Sequence, residues 1–126
     1  MTYAAGVFIF FHALVHAMYV GQAMQWFELR DDMTWPLGSR FLSSVPENGL
    51  RLFAASAIGI ASLALMAGAI GILLDTAWGD GVTVVAAAVL SLLHIMLWDG
   101  DLKTSPDQGL YGVIINVVIV AWVLAR

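Results

Sequence analysis

The chain has 126 residues, of which 61% are hydrophobic and only 11% are charged, against roughly 25% charged residues in an ordinary soluble domain. A water-soluble domain of this length would leave much of its apolar surface exposed, so the composition predicts one domain solvated by lipid. The formal net charge of -4, with five Lys and Arg residues spread along the chain, excludes a phosphate-binding stripe for nucleic acid, and the absence of cysteine excludes disulfides and thiolate chemistry.

Four apolar segments follow one another along the chain. They cover residues 3–24, 50–74, 82–98 and 110–124. At a rise of 1.5 Å per residue they span roughly 22 to 37 Å, against a hydrocarbon core of about 30 Å. The prediction is an all-α fold in which residues 1–126 form a single four-helix transmembrane domain. Such a chain belongs in a cell membrane as a multi-pass protein.

The connections between the segments carry signals of their own. Residues 25–49 mix apolar side chains with charged ones, a pattern that suits an amphipathic connector in the interface or a lid over the mouth of the bundle. Ser-Val-Pro-Glu from Ser44 and Ser-Pro-Asp-Gln from Ser105 both match a capping box with proline in the first turn, and predict the starts of the second and fourth helices. Aromatic rings near the segment ends mark the two membrane interfaces: Trp26, Trp35, Trp78, Trp98 and Tyr111.

Only a few basic residues bear on orientation. Arg30, Arg40, Arg51 and Lys103 lie on the side that holds the first and third loops. Arg126 is the basic residue on the side of both termini. By the positive-inside rule, this distribution predicts that both termini lie outside the cytoplasm.

Polar side chains within the apolar segments are the candidate functional residues, because polar groups are costly to retain in hydrocarbon. From the helix rise, four of them lie about 18 to 20 Å from the terminal side: His16, Ser56, His94 and Asn116. A second layer lies roughly 12 to 14 Å from the terminal side, estimated from the same helix rise. It contains His12, Ser62 and Ser91. These depths predict a buried polar pocket about two layers deep.

The two histidines of the first segment are four residues apart, so both imidazoles share one helix face, as paired metal or haem ligands do. His94 would add a third nitrogen, and zinc, copper and haem iron all accept imidazole. The segments contain no Asp or Glu to hold the rings. Three hypotheses are considered, of which the first is favoured: a hydrogen-bond network, a metal or haem site on His12, His16 and His94, or a pocket for a small organic ligand such as a quinone.

Two short sequences carry a resemblance. Phe-His-Ala-Leu-Val-His from Phe11, together with residues 19–29 after it, and Gly-Val-Ile-Ile-Asn-Val from Gly112 resemble the His-Gly-Leu-Ile-His opening and the Ile-Asn-containing last helix of small bacterial four-helix membrane proteins. Those proteins are similar in layout to DoxX-like proteins. Ala13 replaces the usual glycine, and residues 25–49 are elaborated. The resemblance implies a bacterial membrane bundle without an established activity. By analogy with DoxX-like proteins, it also implies an association with quinol oxidase or membrane redox complexes.

The sequence as a whole favours a non-enzymatic accessory or assembly protein of the cytoplasmic membrane. One alternative is a redox subunit that binds haem, metal or quinone. The other is a small transporter or channel, which would have to be an oligomer because four short helices leave little room for a water-filled path. The predicted partners are the lipid bilayer and either other membrane subunits or further copies of the chain.

Overall fold

The described residues form four α-helices and one short 3-10 helix, so the predicted all-α fold with four helices is confirmed. The computed structural model describes residues 1–28, 31 and 33–126. The helices are α1 (Thr2–Ala23), α2 (Glu47–Leu73), α3 (Gly79–Met96) and α4 (Leu110–Ala125), with the 3-10 helix Ser105–Gln108 before α4. Arg30, one of the residues used to predict the orientation, lies outside the described ranges.

Three of these helices are long and apolar enough to cross a membrane. They are α1, α2 and α3, with 22, 27 and 18 residues. Helix α4 is also apolar but has 16 residues, which corresponds to a length of about 24 Å. The outer surface carries large exposed apolar side chains on every helix, among them Phe11, Ile60, Leu92 and Val118. An apolar surface around buried polar residues is the distribution that lipid favours as a solvent.

Consecutive helices pack against each other, whereas the first and last helices meet only sparsely. Helix α1 packs on α2, α2 on α3, and α3 on α4. Arg126 at the end of α4 bonds to Asp80 at the start of α3 at 2.7 Å and to Thr2 at the start of α1 at 3.4 Å. These contacts bring the start of α1, the start of α3 and the end of α4 to one end of the bundle. The sparse contact between α1 and α4 leaves a gap on the outside.

The starts of α2 and α4 differ from the predicted ones. Pro46 precedes the first residue of α2 and no side chain caps that helix, so Ser44 is not its cap. Ser105 begins the separate 3-10 helix, and its hydroxyl donates to the carbonyl oxygen of Asp101 at 3.1 Å. Gly109, with a φ of 94°, then separates this turn from α4. The prediction that Ser105 caps the fourth helix is therefore wrong, because its hydroxyl is used within the preceding loop.

The tight hairpin of α2 and α3 allows a first test. A Cβ atom added at Gly71 would lie 2.7 Å from the Cα atom of Gly79 and 2.9 Å from Oγ1 of Thr76. Because the Gly79 contact is to backbone, we expect Gly71→Ala to lower the free energy of unfolding by about 1 to 3 kcal/mol. Thermal unfolding in detergent measures this loss of stability. Gly81→Ala is the matched control, since a Cβ there meets nothing within 4 Å; equal melting temperatures for the two variants would contradict the close approach.

Candidate functional site

Four buried side chains from three helices form one hydrogen-bonded cluster inside the bundle, here called the histidine chain. Its members are His12 and His16 of α1, His94 of α3 and Asn116 of α4, which are 6%, 1%, 2% and 0% exposed. His16 Nδ1 lies 3.0 Å from His94 Nε2, and His16 Nε2 lies 3.1 Å from His12 Nε2. The side chain of Asn116 contacts His12 Nε2 at 2.9 Å and His16 Nε2 at 3.3 Å. The predicted buried network of histidine and asparagine is thus present.

The backbone carbonyl of Gln108 sets the direction of these hydrogen bonds. This oxygen accepts from His94 Nδ1 at 3.1 Å, so in neutral His94 the Nε2 atom is an acceptor. His16 therefore donates from Nδ1 to His94, and its Nε2 atom accepts from the amide nitrogen of Asn116. At the other end, His12 Nε2 donates to the amide oxygen of Asn116. The same N–H of His12 also faces the acceptor Nε2 of His16 at 3.1 Å, so each contact within the histidine chain pairs a donor with an acceptor when the three imidazoles are neutral.

Two glycines allow the start of α4 to lie directly against the rings. A Cβ atom at Gly109 would overlap the His94 ring, with 2.8 Å to Cγ. A Cβ atom at Gly112 would lie 2.8 Å from Cε1 of His16. The missing side chains are what permit the carbonyl of Gln108 to reach His94.

The loop before the 3-10 helix holds Gln108 in place. The amide nitrogen of its side chain donates to Asp99 Oδ1 at 2.9 Å and to Thr104 Oγ1 at 2.7 Å. Its amide oxygen accepts from the backbone N–H of Asp99 at 3.0 Å. The carbonyl that fixes the proton positions in the histidine chain is therefore anchored to the end of α3 by several bonds.

The described part of the connector folds over the end of the bundle as a lid. Trp35 is 2% exposed, and its ring centroid lies 4.9 Å from that of Tyr19 and 5.6 Å from that of His94. Tyr19 also contacts His94, with centroids 5.0 Å apart. The backbone N–H of Arg40 donates to the carbonyl of Trp98 at 2.8 Å, which attaches the lid to the residues that follow α3. Of the two interpretations of residues 25–49, the lid agrees with these contacts.

The serines that were predicted to line the polar pocket lie outside the histidine chain. Ser56 is exposed on α2, so its assignment to the polar interior is wrong. Depth along a helix axis does not fix the side that a residue faces: Ser56 precedes the fully buried Ile58 by two positions, a rotation of about 200°. Ser62 is buried without a hydrogen-bond partner among the described residues, and Ser91 donates to the carbonyl of Ala87 in its own helix at 2.9 Å. The second polar layer does not form, and His12 joins the first.

The three imidazoles do not converge on a common point. His94 and His12 contact opposite nitrogens of His16, so the middle ring bridges its neighbours. A zinc ion would need one nitrogen from each ring at about 2.0 to 2.1 Å. Over residues 1–28, 31 and 33–126, no group of three His, Cys, Asp or Glu side chains is arranged to hold a metal ion. As arranged, the histidines form a hydrogen-bond network.

Two grooves border the histidine chain. One, of about 410 Å³, lies between α1 and α4 and is lined by His12, His16 and Tyr19 among others. The other, of about 310 Å³, lies between α3 and α4 and is bordered by His94 and Trp98. His12 and His94, the histidines at the two ends of the histidine chain, therefore each line a groove on the bundle surface.

Sequence reasoning missed the contributions of Trp35 and Gln108. Trp35 has the position expected of an interfacial ring, which is why its contact with His94 was not predicted. Gln108 acts through its backbone carbonyl, for which the sequence has no signal.

Comparison of the chain with known protein families, curated proteins and solved structures finds no match. The resemblance to DoxX-like proteins therefore stays a prediction.

Proposed function

We propose that this chain is a non-enzymatic four-span membrane protein, an accessory or assembly component, in which the histidine chain holds the helices together. The observation that carries the proposal is that both nitrogens of His16 are engaged, one with α3 and one with its own helix and α4. A catalytic or ligand-binding imidazole needs a nitrogen that is free to reach a substrate or metal. The middle ring has none.

The membrane position of α4 is part of the proposal. This helix is shorter than the other three, but contacts at both of its ends support a full crossing beside them. Gly109 lies against His94 near the end of α3, and Arg126 bonds to Asp80 at the start of α3. We propose that the end with Arg40, Arg51 and Lys103 faces the cytoplasm, as the positive-inside rule predicts.

The outer surface supports a role among other membrane components. Large apolar side chains are exposed on each helix, and lipid, a partner subunit or a second copy can cover them. A redox site that used His12, His16 and His94 together would require His16 to leave the network and turn a nitrogen toward metal or haem. The transporter alternative would require a path outside the bundle centre, which the rings of the histidine chain fill, and hence an oligomer.

Two substitutions at His16 test the structural role. Glutamine keeps an amide donor and acceptor, so His16→Gln should fold with a modest loss of stability. His16→Leu leaves His94 Nε2 and the Asn116 amide without their partner, so we expect it to lose about 2 kcal/mol more than His16→Gln. Thermal unfolding in detergent gives the comparison.

Metal analysis and the visible spectrum of the purified protein separate this proposal from the redox alternative. We expect neither a stoichiometric metal nor a visible absorbance band in the native protein. A metal or chromophore that is present in the native protein and lost from a folded His16→Gln variant would contradict the structural role and favour a redox subunit.

A further inference from the structure

The groove between α1 and α4 has the dimensions and lining of a small-molecule site. Its volume of about 410 Å³ lies in the usual range of ligand pockets, roughly 300 to 1,000 Å³. Aromatic rings line it from both helices, namely Phe8 and Phe11 from α1 and Tyr111 from α4. Phe11 and Tyr111 are 60% and 63% exposed, so their faces are open toward lipid. The groove is thus an aromatic cleft on the lipid-facing side of the bundle.

One polar atom at this groove has no partner. The histidine chain uses Nε2 of His12 as a donor to Asn116, which leaves Nδ1 as an acceptor in the neutral ring. No hydrogen bond to Nδ1 occurs within the described residues. His12 lines the groove. Its Nδ1 atom does not belong to the fully buried, unpaired polar atoms of the described residues. The unpaired acceptor is therefore not fully buried, and it belongs to a ring that lines the groove.

The ring that carries this acceptor is held rigidly. Phe8 stacks on His12 with an interplanar angle of 1° and centroids 6.1 Å apart, and His16 packs edge-on against the His12 ring with centroids 4.6 Å apart. An acyl chain of a lipid fills an apolar groove but cannot donate a hydrogen bond to Nδ1. Within hydrocarbon an unpaired acceptor is costly, so a ligand with a donor group is favoured over the acyl chain.

We propose that the groove binds a lipid-soluble phenol, whose hydroxyl group donates to Nδ1 of His12 while its ring lies against Phe11 and Tyr111. Aromatic walls favour a flat aromatic ring over a saturated chain. The direction of the hydrogen bond follows from the proton positions in the histidine chain. A quinone offers only carbonyl acceptors and cannot pair with Nδ1. This site is independent of the accessory role proposed above.

A matched pair of ligands tests the donor requirement. Para-nonylphenol and its methyl ether, para-nonylanisole, share an apolar tail and a ring, but only the phenol donates a hydrogen bond. Each is titrated, as a mole fraction of lipid, into nanodiscs that contain the protein with 15N-labelled histidine. We expect the phenol to shift the 15N resonance of His12 Nδ1 and to bind about tenfold more tightly than the ether. Equal affinities, or no saturable binding of the phenol, would overturn the proposal.

Two aromatic substitutions show whether the phenol occupies this groove. Phe11→Ala removes a wall outside the histidine chain, so the variant should fold and bind the phenol several-fold more weakly. Phe53→Ala removes an exposed ring of α2 that does not line the groove, so its affinity should equal that of the native protein. A phenol that binds Phe11→Ala as tightly as the native protein would place the ligand elsewhere and overturn the proposal. Neither result changes the metal content or the visible spectrum of the native protein, which test the accessory role. Failure of the phenol site and failure of the accessory role can therefore be told apart.

Discussion

Gly109→Ala is expected to lower the free energy of unfolding by about 3 kcal/mol or more, and to break the hydrogen bond from His94 to the carbonyl of Gln108. Gly109 has a φ of 94°, a conformation that disfavours any residue with a Cβ atom. The added atom would also overlap the His94 ring. That ring cannot move aside easily, because Tyr19 and Trp35 pack against it. Backbone strain and overpacking therefore act together at this position.

Gly100→Ala separates the two contributions. Gly100 has a similar φ of 90°, but a Cβ atom there would lie 3.1 Å from Cδ of Arg40, an exposed and flexible side chain. We expect this control to lose only the backbone term of about 1 to 2 kcal/mol. Thermal unfolding in detergent and the 15N resonance of His94 Nδ1 provide the comparison. If both variants melt at the same temperature and keep the native His94 resonance, the contact of α4 with the ring does not stabilise the site.

The helices were predictable because long apolar segments leave few structural alternatives. In hydrocarbon each backbone N–H and C=O must be paired, so a long apolar segment forms a helix almost regardless of its detailed sequence. Helix ends depend on finer contacts. The Ser-Pro-Asp-Gln sequence from Ser105 has the residues of a capping box, yet it forms a 3-10 turn because Gly109 adopts a left-handed conformation directly after it. Local sequence does not distinguish these two outcomes.

The four members of the histidine chain were predictable from the sequence, but the direction of the hydrogen bonds between them was not. The spacing of His12 and His16, and the shared depth of His16, His94 and Asn116, follow from helix geometry. Ser56 shares that depth and lies on the wrong side, because rise along the axis carries no information about rotation. The direction of each hydrogen bond between paired histidines depends on which nitrogen carries the proton. Here the backbone oxygen of Gln108, far away in sequence from α1, decides it.

The lid shows why a connector is harder to predict than a span. An amphipathic segment with tryptophan fits an interfacial position and a buried position equally well. The connector in fact contains one tryptophan of each kind: Trp35 is 2% exposed, whereas Trp26 is 70% exposed. The burial of Trp35 depends on Tyr19 and His94, which belong to other parts of the chain. Tertiary contact and not composition therefore assigns the two tryptophans to different environments.

Trp35→Ala should open the lid above His94. Removal of a buried tryptophan leaves a cavity, and we expect a loss of about 3 to 5 kcal/mol in the free energy of unfolding. The same substitution should raise the rate at which diethyl pyrocarbonate modifies His94, measured by mass spectrometry below the melting temperature. Trp26→Ala is the matched control, since an exposed ring should change stability by no more than about 0.5 kcal/mol and leave the modification rate of His94 unchanged. Equal rates in the two variants would mean that the connector lies in the interface and does not shield the histidine chain. A selective increase in Trp35→Ala would show that access to His94 is controlled by a segment outside the four helices.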